Sequence, residues 1–221
     1  MNRSDLRLQL RRHLAEASTD LFDDTLLNTK LERAQIDLAG RYALLQKPVA
    51  LAFSGPFLAL PADFIHLGED KPKVDGYELN RIDLNDLMMR DPLALSAGSR
   101  TGVPTSFVYE ESLSLNGSAN TLGLWPAGAG TLSFTYAAKP ASLFSDADSP
   151  WNGKYDSFHE LIAMHAANNM QGEQGSSAAA NTVFYSIFMR RKEEFSDYLR
   201  RGKVGKRIQL KSRLGLGGWQ R

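Results

Sequence analysis

Length, composition and charge already exclude several classes of protein. The chain has 221 residues, of which 43% are hydrophobic and 23% charged, and it has no cysteine. This composition predicts a folded body of one domain with an insertion, or of two small domains. It excludes a disulfide framework and thiolate chemistry, and no apolar run reaches the roughly 18 residues that a membrane span needs. The first residues lack the apolar core of a signal peptide, so we expect synthesis in a reducing cytoplasm.

The net charge of +1 hides an uneven distribution. Residues 190–221 contain eleven Lys/Arg and three Asp/Glu, a balance of +8, so residues 1–189 carry −7. A mildly acidic body would not adhere to nucleic acid, and a basic end would bind an acidic surface. The uneven charge therefore indicates that the basic end of the chain binds an acidic partner.

Helical spacing of apolar residues appears at both ends of the chain. In chain order it predicts a helix from Leu6 to Ala17, a second from about Thr25 that stops before Pro48, a third over 152–172, and a long fourth. The fourth helix carries apolar residues at steps of three, four and seven between Val183 and Leu199. Arg200, Arg201 and Gly202 form a typical helix stop.

Short β-type runs separated by turn residues occupy the middle of the chain. Two runs around Ser54-Gly-Pro56 predict a hairpin, and Asp83 is expected to cap a short helix. A meander is expected over 106–110, 112–115, 121–125 and 131–136. Asn116-Gly117 is its sharpest turn signal, and Trp125-Pro-Ala-Gly128 should join its last two strands.

These elements predict an α+β fold. Two N-terminal and two C-terminal helices should form a four-helix core, with an inserted antiparallel β-rich region and an extended C-terminal tail. The expected boundaries are 1–47 for the N-terminal helices, 48–150 for the insertion, 151–201 for the C-terminal helices and 202–221 for the tail.

The tail is the strongest candidate for a binding site. Residues 202–221 contain six Lys/Arg, five glycines and no acidic residue, with spaced apolar side chains. So few apolar groups cannot offset the entropy of ordering, so we expect an arm that orders on a partner. Its candidate contact residues are Lys203, Lys206, Arg207, Ile208, Leu210, Lys211, Arg213, Leu214, Leu216 and Trp219.

Arg190, Arg191 and Lys192 form a second candidate, for contact with DNA or with a neighbouring protein. Cations that flank an apolar stripe usually lay their stems over a core, so a structural role competes with this interpretation. A DNA-binding module that uses these residues and the tail is the alternative function.

Catalytic and metal motifs are not expected to operate here. His159-Glu160 begins like a zinc-protease signature, but Ala163 stands where the second histidine is required. The glycine clusters do not join a strand to a helix, and no serine lies in Gly-x-Ser-x-Gly. We therefore expect no enzyme activity, no cofactor and no metal.

An ordered series of short motifs resembles the head–tail adaptor (connector, head-completion) proteins of tailed bacteriophages. The series is Leu60-Pro-Ala-Asp-Phe-Ile65, Gly102-Val-Pro-Thr-Ser-Phe-Val-Tyr109, Leu122-Gly-Leu-Trp-Pro126, Leu132-Ser-Phe-Thr-Tyr136 with Pro140, and Phe158-His-Glu-Leu-Ile162. It covers roughly residues 20–200, and each motif alone is weak. These motifs carry fold rather than catalysis, so no active-site residue transfers.

The resemblance implies a structural virion protein at the head–tail junction, assembled in the host cytoplasm. Its members form a homo-oligomeric ring, usually a dodecamer, beneath the portal protein. The ring extends the channel for double-stranded DNA, without sequence-specific binding, and is the platform for the tail (nozzle or tail-terminator) protein. C-terminal segments in this family commonly reach into the portal, which agrees with the docking arm. No membrane contact is implied.

Overall fold

The computed structural model of the chain describes residues 1–14, 22–96, 99–109, 120–173 and 182–213. For residues 172–173, 182–183 and 203–213 it describes the backbone only. Within these ranges the protein is a mixed α+β structure with five α-helices and one sheet of seven strands. The predicted class is confirmed at this level, whereas the four-helix packing stays a prediction.

The helices are α1 (Arg3–His13), α2 (Asp24–Tyr42), α3 (Leu84–Arg90), α4 (Glu160–Glu173) and α5 (Thr182–Arg213). The strands are β1 (Gln46–Ala59), β2 (Phe64–Leu67), β3 (Lys73–Val74), β4 (Tyr77–Glu78), β5 (Asn80–Arg81), β6 (Ser106–Val108) and β7 (Thr121–Ala138). Two short 3-10 turns, Pro150–Gly153 and Asp156–Phe158, precede α4. As predicted, Asp83 caps α3, and its side chain accepts from the N–H of Asn85.

The chain divides into two compact units, one of Met1–Gln35 with Ala141–Arg221 and one of Ile36–Pro140. The first unit contains α1, α4 and α5, and the second contains the sheet and α3. The dividing point lies inside α2. The boundaries that the composition suggested at 47 and 150 remain predictions.

The sheet is built on one long antiparallel pair. β1 and β7 pair from Gln46 with Ala137 to Ala59 with Thr121, with an irregularity at Gly55/Phe57. The two expected hairpins are therefore wrong. Ser54-Gly-Pro56 and Trp125-Pro-Ala-Gly128 do not turn the chain, because each lies within a single strand and Gly55 pairs with Gly128. The turn-forming residues of both strands mark the same break in one ladder.

The other edge of β7 is divided among short strands. β2, β3 and β6 each pair with β7, while β4 adds to β3 and β5 adds parallel to β6. A small core made by Leu87, Ala94, Leu95 and Val108 joins α3 to this side of the sheet. The expected strand at 112–115 and the Asn116-Gly117 turn lie outside the described residues.

The end of α5 corrects another prediction. The helix does not stop at Arg200–Gly202 but continues to Arg213, so residues 203–213 are helical and not extended. A glycine inside a helix costs only about 1 kcal/mol relative to alanine, and Lys, Arg, Gln and Leu favour helix. The glycine after two arginines was therefore a weak stop. Residues 214–221 lie outside the described part of the chain.

Candidate functional site

The helix α5 carries Arg190, Arg191 and Lys192 and those tail candidates that lie between Lys203 and Arg213. Its 32 residues correspond to a length of about 48 Å at 1.5 Å per residue. Among its described side chains, only Phe188 and Phe195 are buried. Tyr185, Ile187 and Tyr198 are 52%, 42% and 54% exposed, although all belong to helix positions that the sequence assigned to, or next to, the apolar stripe. The helix is thus held to its unit by a narrow contact.

An aromatic cluster around Phe195 makes one part of that contact, and Phe188, whose ring stacks on His165 with centroids 6.0 Å apart, makes another. Phe195 is fully buried and stacks on Trp151, with ring centroids 5.7 Å apart and planes at 6°. Phe158 lies 4.7 Å and Tyr155 5.7 Å from the same ring, centroid to centroid. Tyr198, one turn further on, lies 5.3 Å from Phe158. Stacked and edge-to-face rings at these separations attract one another beyond simple area burial.

Gln35 positions Trp151 for this stack. The Trp151 backbone N–H donates to Gln35 Oε1 at 3.1 Å, and its indole N–H donates to the Gln35 carbonyl at 3.2 Å. Gln35 Nε2 donates to the Ala141 carbonyl at 3.0 Å. Both side chains are fully buried, so these bonds satisfy groups that would otherwise be costly to bury. They also hold Trp151 at a φ of +48°, a region that favours glycine.

The second candidate group lies on the first half of α5. Arg190 Nε is 3.6 Å from Glu194 Oε1, and Arg191 NH1 is 3.0 Å from Glu194 Oε2. Their side chains are 71% and 43% exposed. Lys192 Nζ lies over the Phe188 ring, 5.2 Å from its centroid, as expected of a cation that covers a core residue. One carboxylate serves both arginines, so this surface remains cationic.

The tail candidates fall into two groups, those on α5 and those that follow it. The backbone of Lys203, Lys206, Arg207, Ile208, Leu210, Lys211 and Arg213 continues α5, and their side chains are not described. Leu214, Leu216 and Trp219 lie outside the described residues. The structure therefore places the basic run on the end of a helix, and it leaves the contacts of that run as a prediction.

The histidines have structural surroundings. His159 is fully buried, its Nε2 lies 2.6 Å from the Lys154 carbonyl, and its ring centroid is 5.7 Å from that of Trp151. Burial lowers the pKa of His13 below its ordinary value, while Glu160 raises it to a smaller extent. Among the described residues, no group of three or more His, Cys, Asp or Glu could hold a metal ion.

An arginine stripe on α1 was missed by sequence reasoning. Arg3 and Arg7 pair with Asp146, with shortest distances of 2.7 and 3.2 Å, and Arg11 pairs with Asp24 at 2.8 Å. The three arginines are only 12–17% exposed. Hydrogen bonds from the guanidiniums of Arg3 and Arg7 hold the pKa of Asp146 below its usual range. The i, i+4, i+8 spacing was the available signal, but nothing in it identified the acidic partners.

Several residues of the motif series meet in the sheet unit. The Tyr136 hydroxyl donates to Asp63 Oδ1 at 2.9 Å, and Lys47 pairs with the other carboxylate oxygen. The Phe64 ring lies 5.7 Å from Tyr136 and 5.3 Å from Tyr109. Burial, followed by the bond to Asp63, raises the pKa of Tyr136 to about 12. These contacts join the start of β2 to β7, so these motif residues stabilise the sheet unit.

In the part of the chain that the structure describes, the candidate contact residues are cations on one long helix, α5. No described helix combines the length and the apolar character needed to cross a membrane. The model of the family described as SU10 adaptor protein matches residues 1–207. The chain belongs to this family of phage head–tail adaptors. A comparison with curated proteins gives no match.

Membership confirms the recognition made from the motif series. It identifies the protein as a bacteriophage structural adaptor, and families of this kind are generally not enzymes. It also implies structural assembly with phage portal and tail proteins, consistent with a place at the head–tail junction. Nothing in the family match favours the alternative of a DNA-binding module.

Proposed function

We propose that the protein forms a ring directly below the portal, extends the channel for DNA and provides the platform for the tail. In this proposal the basic end of α5 docks on the portal, and the β-rich unit faces the next tail component. Family membership supports the general role. The observation that carries the specific one is the shape and charge of α5.

The second half of α5 is suited to docking. Residues 200–213 contain seven Lys/Arg and no Asp/Glu. The helix continues for more than four turns beyond Phe195, which is the last fully buried residue among its described side chains. A cationic helix of this kind would bind an acidic groove of a partner, where charge complementarity raises the association rate and fixes orientation.

The charge of the remaining chain suits a channel wall. Residues 1–189 carry a net charge of −7. Like-charge repulsion would let double-stranded DNA pass without adhering, whereas a basic lumen would retain it. We further propose that the isolated protein is a monomer and that the ring, with twelve copies as the expected number, forms on the portal. The cost of ordering the C-terminal residues is then met by portal contacts.

Truncation tests the docking role. A chain that lacks residues 203–221 should stay folded, because the anchoring cluster around Phe195 is retained, but it should lose measurable binding to the cognate portal ring. A chain that lacks only residues 214–221 is the matched control and separates the helical part from the last eight residues. Binding of the longer truncation with wild-type affinity would refute the role of this segment.

A salt titration separates portal docking from DNA binding. Micromolar or tighter binding of the full chain to duplex DNA at physiological salt, with a steep salt dependence, would favour the DNA-binding module instead. Replacing Arg190 and Arg191 by glutamine should leave portal binding within threefold if those residues contact only a neighbouring adaptor subunit or serve structure.

A further inference from the structure

The outer edge of β1 is the most conspicuous unpaired surface of the sheet unit. Within the described residues, β7 is the only strand that pairs with β1, and it occupies one edge over nearly the whole length of 14 residues. The opposite edge of β1 is therefore a long strand edge, whereas the far side of the sheet ends in strands of two to four residues.

The hydrogen-bond pattern identifies the groups on this edge. The Ala138 N–H donates to the Leu45 carbonyl, and the register continues from there without a shift to Gly55. Because inward and outward groups alternate along a strand, the odd-numbered residues of this stretch bond to β7 and the even-numbered residues face outward. The outward residues are Gln46, Pro48, Ala50, Ala52 and Ser54.

Proline occupies one of these outward positions. Pro48 has no N–H, and an outward place is one where it removes no ladder bond. The N–H groups of Ala50, Ala52 and Ser54, together with the carbonyls beside them, have no hydrogen-bond partner among the described residues. They form a row of donors and acceptors with the spacing of a strand.

The edge has only part of the usual protection, because it has a proline and an irregularity but no charge from Pro48 onward. Isolated proteins guard long strand edges with charges, yet the twelve residues from Pro48 to Ala59 include none. The side chains at the outward positions 48, 50, 52 and 54 are small and exposed, so a further strand could approach to the normal spacing of about 4.8 Å. The proline and the irregularity at Gly55 limit the accessible segment to five or six residues.

We propose that an extended segment of an adjacent copy of this chain pairs with the outer edge of β1 in the assembled ring. This inference rests on the proposed function, since a ring places an identical subunit on both sides of each copy. A contact between two different surfaces of neighbouring copies can close into a ring. Strand addition gives affinity through backbone bonds, so it does not require charged side chains.

Ala52→Pro is the discriminating variant. It removes one outward N–H and places a ring atom in the path of the incoming strand, while the inward ladder to β7 keeps all its bonds. Ala52→Thr is the matched control, because it adds bulk at the same exposed position but keeps the N–H. Circular dichroism and thermal unfolding should show both variants folded.

Ring assembly on the cognate portal is the first readout, followed by native mass spectrometry and electron microscopy. We expect Ala52→Pro to lower the ring fraction at least tenfold, and Ala52→Thr to lower it less than threefold. If both variants assemble like wild type, the inference is overturned and the proposed function stands. If the wild-type chain does not bind the portal at all, the proposed function fails.

Hydrogen exchange decides the inference separately. In the free chain, the amides of Ala50, Ala52 and Ser54 should exchange much faster than those of Leu51 and Phe53, which bond to β7. In the assembled ring all five should be protected, with the outward three slowed at least tenfold. Fast exchange of the outward amides in every oligomeric state would overturn strand addition, whatever the portal experiments show.

Discussion

Replacing Phe195 by alanine should release α5 from its unit. Phe195 is fully buried and makes three ring contacts of the aromatic cluster, which include the closest one, to Phe158, and the stack on Trp151. Truncation of a buried phenylalanine costs about 3–5 kcal/mol. Loss of the aromatic pairing accounts for about 0.5–1.5 kcal/mol of interaction beyond area burial. We expect a loss of roughly 4 kcal/mol, a large share of the stability of an ordinary domain.

Two variants control for this change. Phe195→Leu retains most of the apolar volume and should cost less than about 1.5 kcal/mol. Tyr198→Ala removes an aromatic side chain of the same helix that is 54% exposed, and should cost about 1 kcal/mol or less. The contrast tests whether the buried ring, rather than any aromatic residue on α5, holds the helix.

Chemical denaturation followed by circular dichroism gives the free energy of unfolding, and limited proteolysis within 182–213 reports release of the helix. If release is local, Phe195→Ala should accelerate cleavage in α5 before the sheet unit unfolds. A variant within 1 kcal/mol of wild type, with unchanged cleavage, would refute the conclusion that this cluster anchors α5.

Three further changes test separate parts of the structure. Asp146→Asn should remove part of the acid sensitivity of unfolding, because the pKa of Asp146 is lowered in the folded state. The carboxylate therefore stabilises the folded state above the unfolded pKa of about 3.9, and this stabilisation is lost as pH falls through the folded pKa. Denaturation midpoints measured from pH 6 to pH 2 would show a shallower decline for the variant, and an identical decline would contradict the pairing with α1. Gly128→Ala should destabilise the sheet unit by several kcal/mol, because its Cβ would collide with the Gly102 carbonyl oxygen, a fixed backbone atom; a thermal midpoint within two degrees of wild type would exclude that contact. Gly202→Ala should raise helicity and stabilise α5 by about 1 kcal/mol, because the position is inside a helix and no atom of the described residues lies within 4 Å of the added Cβ. Lower helicity would mean that the helix ends there.

Local sequence patterns determined the helices and the capping of α3. Apolar spacing predicted four helices and the Asp83 cap predicted a fifth, and all five are present, because a helix satisfies its backbone bonds within one segment. The ordered motifs also identified the adaptor family, which the family match confirms. The uneven charge is a property of composition and needed no structure.

Tertiary structure decided which strands pair and where α5 ends. Ser54-Gly-Pro56 and Trp125-Pro-Ala-Gly128 each satisfy the local rules for a turn, yet in the folded chain Gly55 lies opposite Gly128 and the two segments share one irregularity. A strand obtains its hydrogen bonds from residues distant in sequence, so local signals cannot choose between turning and continuing. Likewise, Phe195 and Tyr198 both belong to the predicted apolar stripe. Phe195 is buried because it stacks on Trp151, whereas Tyr198 remains 54% exposed. Periodicity assigns a residue to a face of a helix, whereas burial depends on how much of that face another element covers.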